Sequence, residues 1–240
     1  MAQVAKHRRA VEGGYARGEE TSARIVAAAL KMFGERGYEG ASTRDIAISA
    51  GVNAPALQYY FDNKEGVYLA CVEHIVTRVW EYMSEVVARA ERAVAADADD
   101  AELIEVLCAI HTQLAEFMFT AKDAHDWRLF MARQQSGEGP AAGFRIIYRR
   151  VGTRLSNVTS TIVGRLLGRP ADDEETLIRT MILSGQLTVF QVVPRSVLAR
   201  LNWDTVDARR LALLKRLISE HTGALLRAMV AARLSGRPSR

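Results

Sequence analysis

The sequence predicts an all-α protein, a small N-terminal three-helix unit followed by a larger helical body. Three observations predict it. Apolar residues recur every three or four positions along most of the chain, the period of an amphipathic helix. The five prolines (Pro55, Pro140, Pro170, Pro194 and Pro238) fall where those patterns start or break. Between Ser42 and Lys64 two short helical patterns flank a tight glycine turn.

Residues 1–18 are polar, basic and glycine-containing, and are expected to be a disordered arm; Lys6, Arg8, Arg9 and Arg17 could reach DNA phosphates from it. The first helix is expected over Thr21–Arg36, with Ile25, Ala28, Ala29, Met32 and Phe33 on one face and Gly37 ending it. Ser42 can cap the next helix, with Asp45 as a capping-box-like partner. Ile46, Ala47 and Ala50 share its inner face, and Gly51 sits where a left-handed residue stops the helix. Asn53 can cap a third helix, whose first turn tolerates Pro55. Leu57 and Phe61 turn inward, leaving Ala54, Pro55, Ala56, Gln58, Tyr59 and Tyr60 outside. Two helices braced across a glycine turn, the second presenting its N-terminal residues outward, make a helix-turn-helix.

From Lys64 a long helix is expected to about Ala95, along Val67, Cys71, Ile75, Val79, Met83, Val86 and Ala90. Further helices are expected over Glu102–Thr120, from Asp123 to about Gln135, over Phe144–Leu167, and from Asp172 or Asp173 to about Val193. A short one at 195–201 and a last one over Thr205–Leu234 complete the chain. The domain plan is an arm at 1–18, a helix-turn-helix domain at 19–66, an effector-binding and dimerisation domain at 67–234, and a tail at 235–240.

Composition excludes several classes. Hydrophobic residues make up 49% and charged residues 25%, ordinary for a soluble globular chain. The net charge is +4, and residues 1–66 carry nine Lys and Arg against eight Asp and Glu, so bulk charge does not argue for DNA and placement must. Two cysteines make no disulfide framework. No apolar run is long enough to suggest a spanning helix, and the N-terminus lacks a secretory apolar region, so no membrane partner and a cytoplasmic location are expected. No phosphate loop, dinucleotide fingerprint, H-E-x-x-H or G-x-S-x-G is present, so no enzyme and no cofactor are expected.

The run G-V-N-A-P-A-L-Q-Y-Y-F-D-N-K, preceded by S-T-R-D-I-A, resembles the DNA-binding signature of the TetR family of one-component repressors, and the likeness extends from Thr21 to about Leu69. By resemblance, operator DNA would be contacted through Thr43, Arg44, Ala54, Pro55, Ala56, Gln58, Tyr59, Tyr60 and Lys64. The residue chemistry divides that set. Ala54 and Pro55 can touch a thymine methyl, Gln58 can pair with adenine, and Arg44 suits guanine. Thr43, Tyr59, Tyr60 and Lys64 suit phosphates. Gln58 stands where the family commonly has Tyr, and Tyr60 where it commonly has His, which alters the expected operator rather than the role. The stretches 127–144 and 184–190 resemble a subgroup of that family with a CecR-like C-terminal domain, with Gln134 where the subgroup commonly has Glu. That second resemblance implies control of efflux, transport or stress genes.

Two half-sites need two recognition helices, so a homodimer is expected. Leu177, Met181, Ile182, Gly185 and Val189 form one candidate stripe; Leu211, Leu214, Leu217, Ile218, His221, Leu225 and Met229 form the other, and two copies of each would make a four-helix bundle. A small-molecule effector, largely apolar, is expected in the body. Candidate lining residues are Trp80, Met83, Phe117, Met118, Trp127, Met131, Phe144, Tyr148 and Phe190, with His111, Arg128 and Gln186 as polar groups that need partners. No metal is expected. The alternatives are a metal or thiol sensor using Cys71-x-x-His74 and Cys108-x-x-His111, and a DNA-binding protein without an effector.

Overall fold

The structure is a computed structural model. It describes residues 2–120, 124–192 and 194–236, and of these the side chains except at 2–17, 124–125, 191–192 and 194–195. All regular elements among the described residues are helical. The chain forms two compact units, one from Met1–Ile75 with His125–Ile146, the other from Val76–Ala124 with Ile147–Arg240.

The first unit opens with α1 (Ala2–Gly40), which begins well before the expected Thr21 and includes the backbone of residues 2–18, where the sequence leads one to expect a disordered arm. Ala, Lys, Arg and Glu in that stretch favour a helix. The basic side chains proposed there for phosphate contact lie outside the described residues. Gly37, at φ 75 and ψ 174, breaks α1 where the sequence places its end, and only glycine takes that conformation readily. The unit continues through α2 (Thr43–Ser49), α3 (Ala54–Phe61) and the first part of α4 (Lys64–Ala95).

The unit is completed by α6 (Ala124–Gln135) and α7 (Ala141–Ile147). The N-cap expected of Asp123 lies outside the described residues. Ile25, Ala29, Phe33, Ile46, Leu57, Val67, Cys71, Val72 and Phe130 are its closed core. Phe33 is its hub: its ring lies 5.0 Å from Tyr68, 5.9 Å from Tyr38 and 6.4 Å from Phe130. Gly139 admits the Tyr68 ring, since a Cβ there would come within 2.2 Å of its hydroxyl oxygen.

The second unit holds the rest of α4, α5 (Asp100–Thr120), α8 (Thr153–Leu167), α9 (Glu174–Gly185), α10 (Thr188–Val192), α11 (Pro194–Arg200) and α12 (Ala208–Leu234). Met83, Val87 and Ala90 pack with Leu103, Leu107, Ile110, Ile162, Val163, Leu166, Leu183, Leu226 and Met229. A satellite cluster joins Ala115, Met118, Leu187, Leu214 and Ile218.

Three details depart from expectation. The helix read as continuous over Phe144–Leu167 widens to a π-helical turn at Tyr148–Gly152, a register change that apolar spacing does not reveal. The helix read from Asp172 or Asp173 to about Val193 is capped by Asp173 but breaks after Gly185, and Val193 itself lies outside the described residues. Finally, α5 is long and apolar enough to cross a membrane by length and composition, although no such helix was expected. More than half of its most apolar stretch is buried, and its residues fill the core of the second unit.

Candidate nucleic-acid interface

The local chemistry of α2 and α3 places the outward side chains. Ser42 Oγ accepts from the Asp45 N–H at 3.1 Å, and Asn53 Oδ1 from the Ala56 N–H at 2.8 Å, the two caps the sequence predicts. Asp45 turns its carboxylate to Arg36, 3.7 Å away. Gly51, at φ 65, closes α2: its N–H donates to the Ile48 carbonyl and that of Val52 to the Ala47 carbonyl, a Schellman pair. Leu57 is buried, and α3 therefore has a fixed inner edge.

Arg44, Ala54, Pro55, Gln58, Tyr59 and Tyr60 are exposed, while Thr43, Ala56 and Lys64 are half-buried. The Tyr59 and Tyr60 rings meet edge to face at 5.4 Å, giving one aromatic ledge at the end of α3. Lys64 is already docked: its Nζ donates to the Glu39 carbonyl at 3.3 Å and sits 4.6 Å from the centre of the Tyr38 ring.

Residues 25–71 match the family model of bacterial regulatory proteins of the tetR family. Residues 103–229, more than half of the chain, match that of the C-terminal domain of the HTH-type transcriptional dual regulator CecR. The chain belongs to the TetR family of transcriptional regulators. CecR of Shigella flexneri is 28% identical to this TetR-family chain over 213 residues, 89% of this chain and 94% of CecR. Among solved structures, AibR in complex with isovaleryl coenzyme A and operator DNA aligns at a TM-score of 0.56 and 16% identity, covering 85% of this chain and 97% of AibR. FadR of Bacillus subtilis, in complex with stearoyl-CoA, aligns at 0.52 and 18%, covering 84% and 97%. At those identities the likeness is one of fold.

The candidate effector residues of this TetR-family chain fall in both units. Trp127, Arg128, Met131 and Phe144 belong to the first; Trp80, Met83, His111, Phe117, Met118, Tyr148, Gln186 and Phe190 belong to the second. In the first unit, Trp127 is buried with the His74 ring edge-on at 6.1 Å, Arg128 and Met131 are half-buried, and Phe144 is 56% exposed. In the second, Met83 is core, Phe117 packs on Tyr82, Phe190 on Phe119, and Trp80 lies under the Arg154 guanidinium. Tyr148, on the π-helical turn, is 56% exposed.

His111 and Gln186 share a buried partner that the sequence does not reveal. Gln186 Nε2 donates to Thr222 Oγ1 at 2.7 Å, and that hydroxyl lies 3.2 Å from His111 Nδ1. Burial lowers the His111 pKa from 6.5 to about 4, so the ring is neutral at pH 7 and can accept the Thr222 proton. The folded pKa lies below the unfolded one. The resulting stability is present above about pH 6.5 and is lost as pH falls through about 4. Acidifying from pH 7 to 5 should cost the second unit roughly 2 kcal/mol from this group alone. Melts of the wild type and His111→Gln at both pH values check this, the variant losing that share of the dependence.

The two Cys-x-x-His pairs are divided between the units: Cys71 and His74 in the first, Cys108 and His111 in the second. Each thiol faces a backbone carbonyl, Cys71 that of Val26 and Cys108 that of Ser219. Burial pushes both thiols up in pKa. Among the described residues no group of three or more His, Cys, Asp and Glu side chains could hold a metal ion.

Proposed function

We propose that the chain is a cytoplasmic, homodimeric repressor that leaves a palindromic operator when a largely apolar small molecule binds its body, and that it governs efflux, transport or stress genes. The observation that carries the DNA-reading part is the capped, outward-facing recognition helix α3, with Ala54, Pro55, Gln58 and Tyr59 exposed over a buried Leu57. In this reading α3 enters the major groove, Gln58 and Arg44 read base edges, and Thr43, Tyr59, Tyr60 and Lys64 bind phosphates. The α2 and α3 N-termini add backbone N–H donors.

Dimerisation is supported by apolar side chains left uncovered on α9 and α12: Ile178, Met181, Ile182, Leu213 and Leu225. The acyl thioesters held by AibR and FadR offer a first panel of effectors. Binding needs different affinity for the operator-bound and released states, typically 1–3 kcal/mol of coupling. Selection of duplexes from a random pool, followed by mobility shifts with candidate compounds, tests the reading. An enriched inverted repeat released by a compound supports it; an enriched repeat that no compound releases removes the effector.

The two kinds of contact are separable. Arg44→Ala should relax base preference at one position of each half-site, at about 1–3 kcal/mol of discrimination. Lys64→Ala should weaken all sequences alike and flatten the salt dependence by about one unit. Binding isotherms over a salt series, on the selected site and on point variants of it, read both effects.

A further inference from the structure

Arg133 and Gln134 are neighbours on α6, far in sequence from the helix-turn-helix and inside the stretch that matches the CecR C-terminal domain, yet they pack within the first unit. Arg133 Nε donates to the Gly34 carbonyl at 2.9 Å and Nη2 to the Glu35 carbonyl at 3.2 Å, while Nη1 pairs with Glu138. Those carbonyls lie just before Gly37, whose non-helical φ and ψ interrupt α1, and carbonyls at the end of a helical stretch call for donors from outside it. Gln134 holds the other side. Its Oε1 accepts from the Tyr68 hydroxyl at 2.7 Å, and the Tyr68 ring meets Tyr38 edge-on at 5.3 Å. The turn between these two supports carries Tyr38 and Glu39, on which Lys64 rests.

We propose that Arg133 is a positioning residue for operator binding: by holding the Gly34 and Glu35 carbonyls it fixes the turn under Lys64, and so sets the phosphate anchor at the start of α4. The inference rests on Lys64 as a phosphate contact. Arginine suits the role because its planar fork serves two carbonyls and a carboxylate at once, which an ammonium on a flexible stem does not.

The test is operator binding over a salt series by wild type, Arg133→Ala, Arg133→Lys, Lys64→Ala and the Arg133→Ala/Lys64→Ala double variant, with thermal melts to establish folding. Arg133→Ala should weaken binding about tenfold and flatten the salt slope by about one unit, as Lys64→Ala does, although Arg133 itself touches no phosphate. Arg133→Lys should recover part of both losses. In the Lys64→Ala background the Arg133→Ala change should cost less than about twofold, because the anchor it positions is gone.

Unchanged binding by a folded Arg133→Ala overturns the proposal. So does a loss with the salt slope intact, or an equal loss in both backgrounds, since either means general loosening. If Arg133→Ala does not fold, Arg133→Lys decides: a slope between those of wild type and Lys64→Ala supports the proposal, and a wild-type slope overturns it. If Lys64→Ala binds like wild type, the phosphate reading of Lys64 has failed, and the inference with it. If Lys64→Ala behaves as expected and Arg133→Ala does not, only the inference has failed.

Discussion

Phe33→Ala should destabilise the first unit by about 3–5 kcal/mol, the range for truncating a fully buried aromatic ring. Phe33 is 1% exposed and contacts the rings of Tyr38, Tyr68 and Phe130. Its loss leaves a cavity where α1, α4 and α6 meet, and the Tyr68 hydroxyl that donates to Gln134 loses its packing support. Burial pushes that hydroxyl's pKa up, which keeps it a donor. Peptide-resolved hydrogen exchange should show the loss in α1, α6 and the first half of α4, with α5 and α12 retaining protection. Even loss across the whole chain would mean that the two units do not fold with separate cores.

Ile182→Asp should convert the protein to a monomer and weaken operator binding by about a hundredfold or more, since each half-site then loses the effective concentration supplied by the other. Ile178, Met181 and Ile182 are 49%, 68% and 65% exposed on α9, too much apolar surface in one place for a helix facing water. An Asp placed there stays solvated in the monomer but would be buried unpaired in a two-fold bundle. Sedimentation and operator isotherms on the same sample check it. A variant that stays dimeric would put the interface elsewhere.

The helix-turn-helix was legible because each of its signals is local. Ser42, Gly51, Asn53 and Pro55 act on backbone within four residues, so spacing alone places them. The α12 stripe expected from its apolar period divides in the structure: Leu214, Ile218 and Met229 fill the second unit's own core, while His221 and Leu225 face outward. Both groups share one period, and periodicity cannot tell which neighbour covers a face. The membership of α6 and α7 in the first unit was invisible. It rests on Arg133, Gln134, Gly139 and Phe130 meeting residues far away in sequence, and no local pattern records such pairs. The clue available was a polar Arg133-Gln134 pair followed closely by glycines, which reads as an ordinary break. Likewise His111 and Gln186 stand out in the sequence as polar groups needing partners, but Thr222 carries no signal of its own.

In the proposed dimer, two copies of α3 read two half-sites of one duplex. Selecting bound duplexes from a random pool and footprinting the enriched sequence at single-base resolution tests it most directly. The expected result is an inverted repeat, protected in two major-groove patches about 34–36 Å apart or a multiple of that, with protection lost in Ile182→Asp and base preference altered in Gln58→Ala. A pool with no enriched sequence, or a single unpaired patch that Gln58→Ala leaves unchanged, would contradict it.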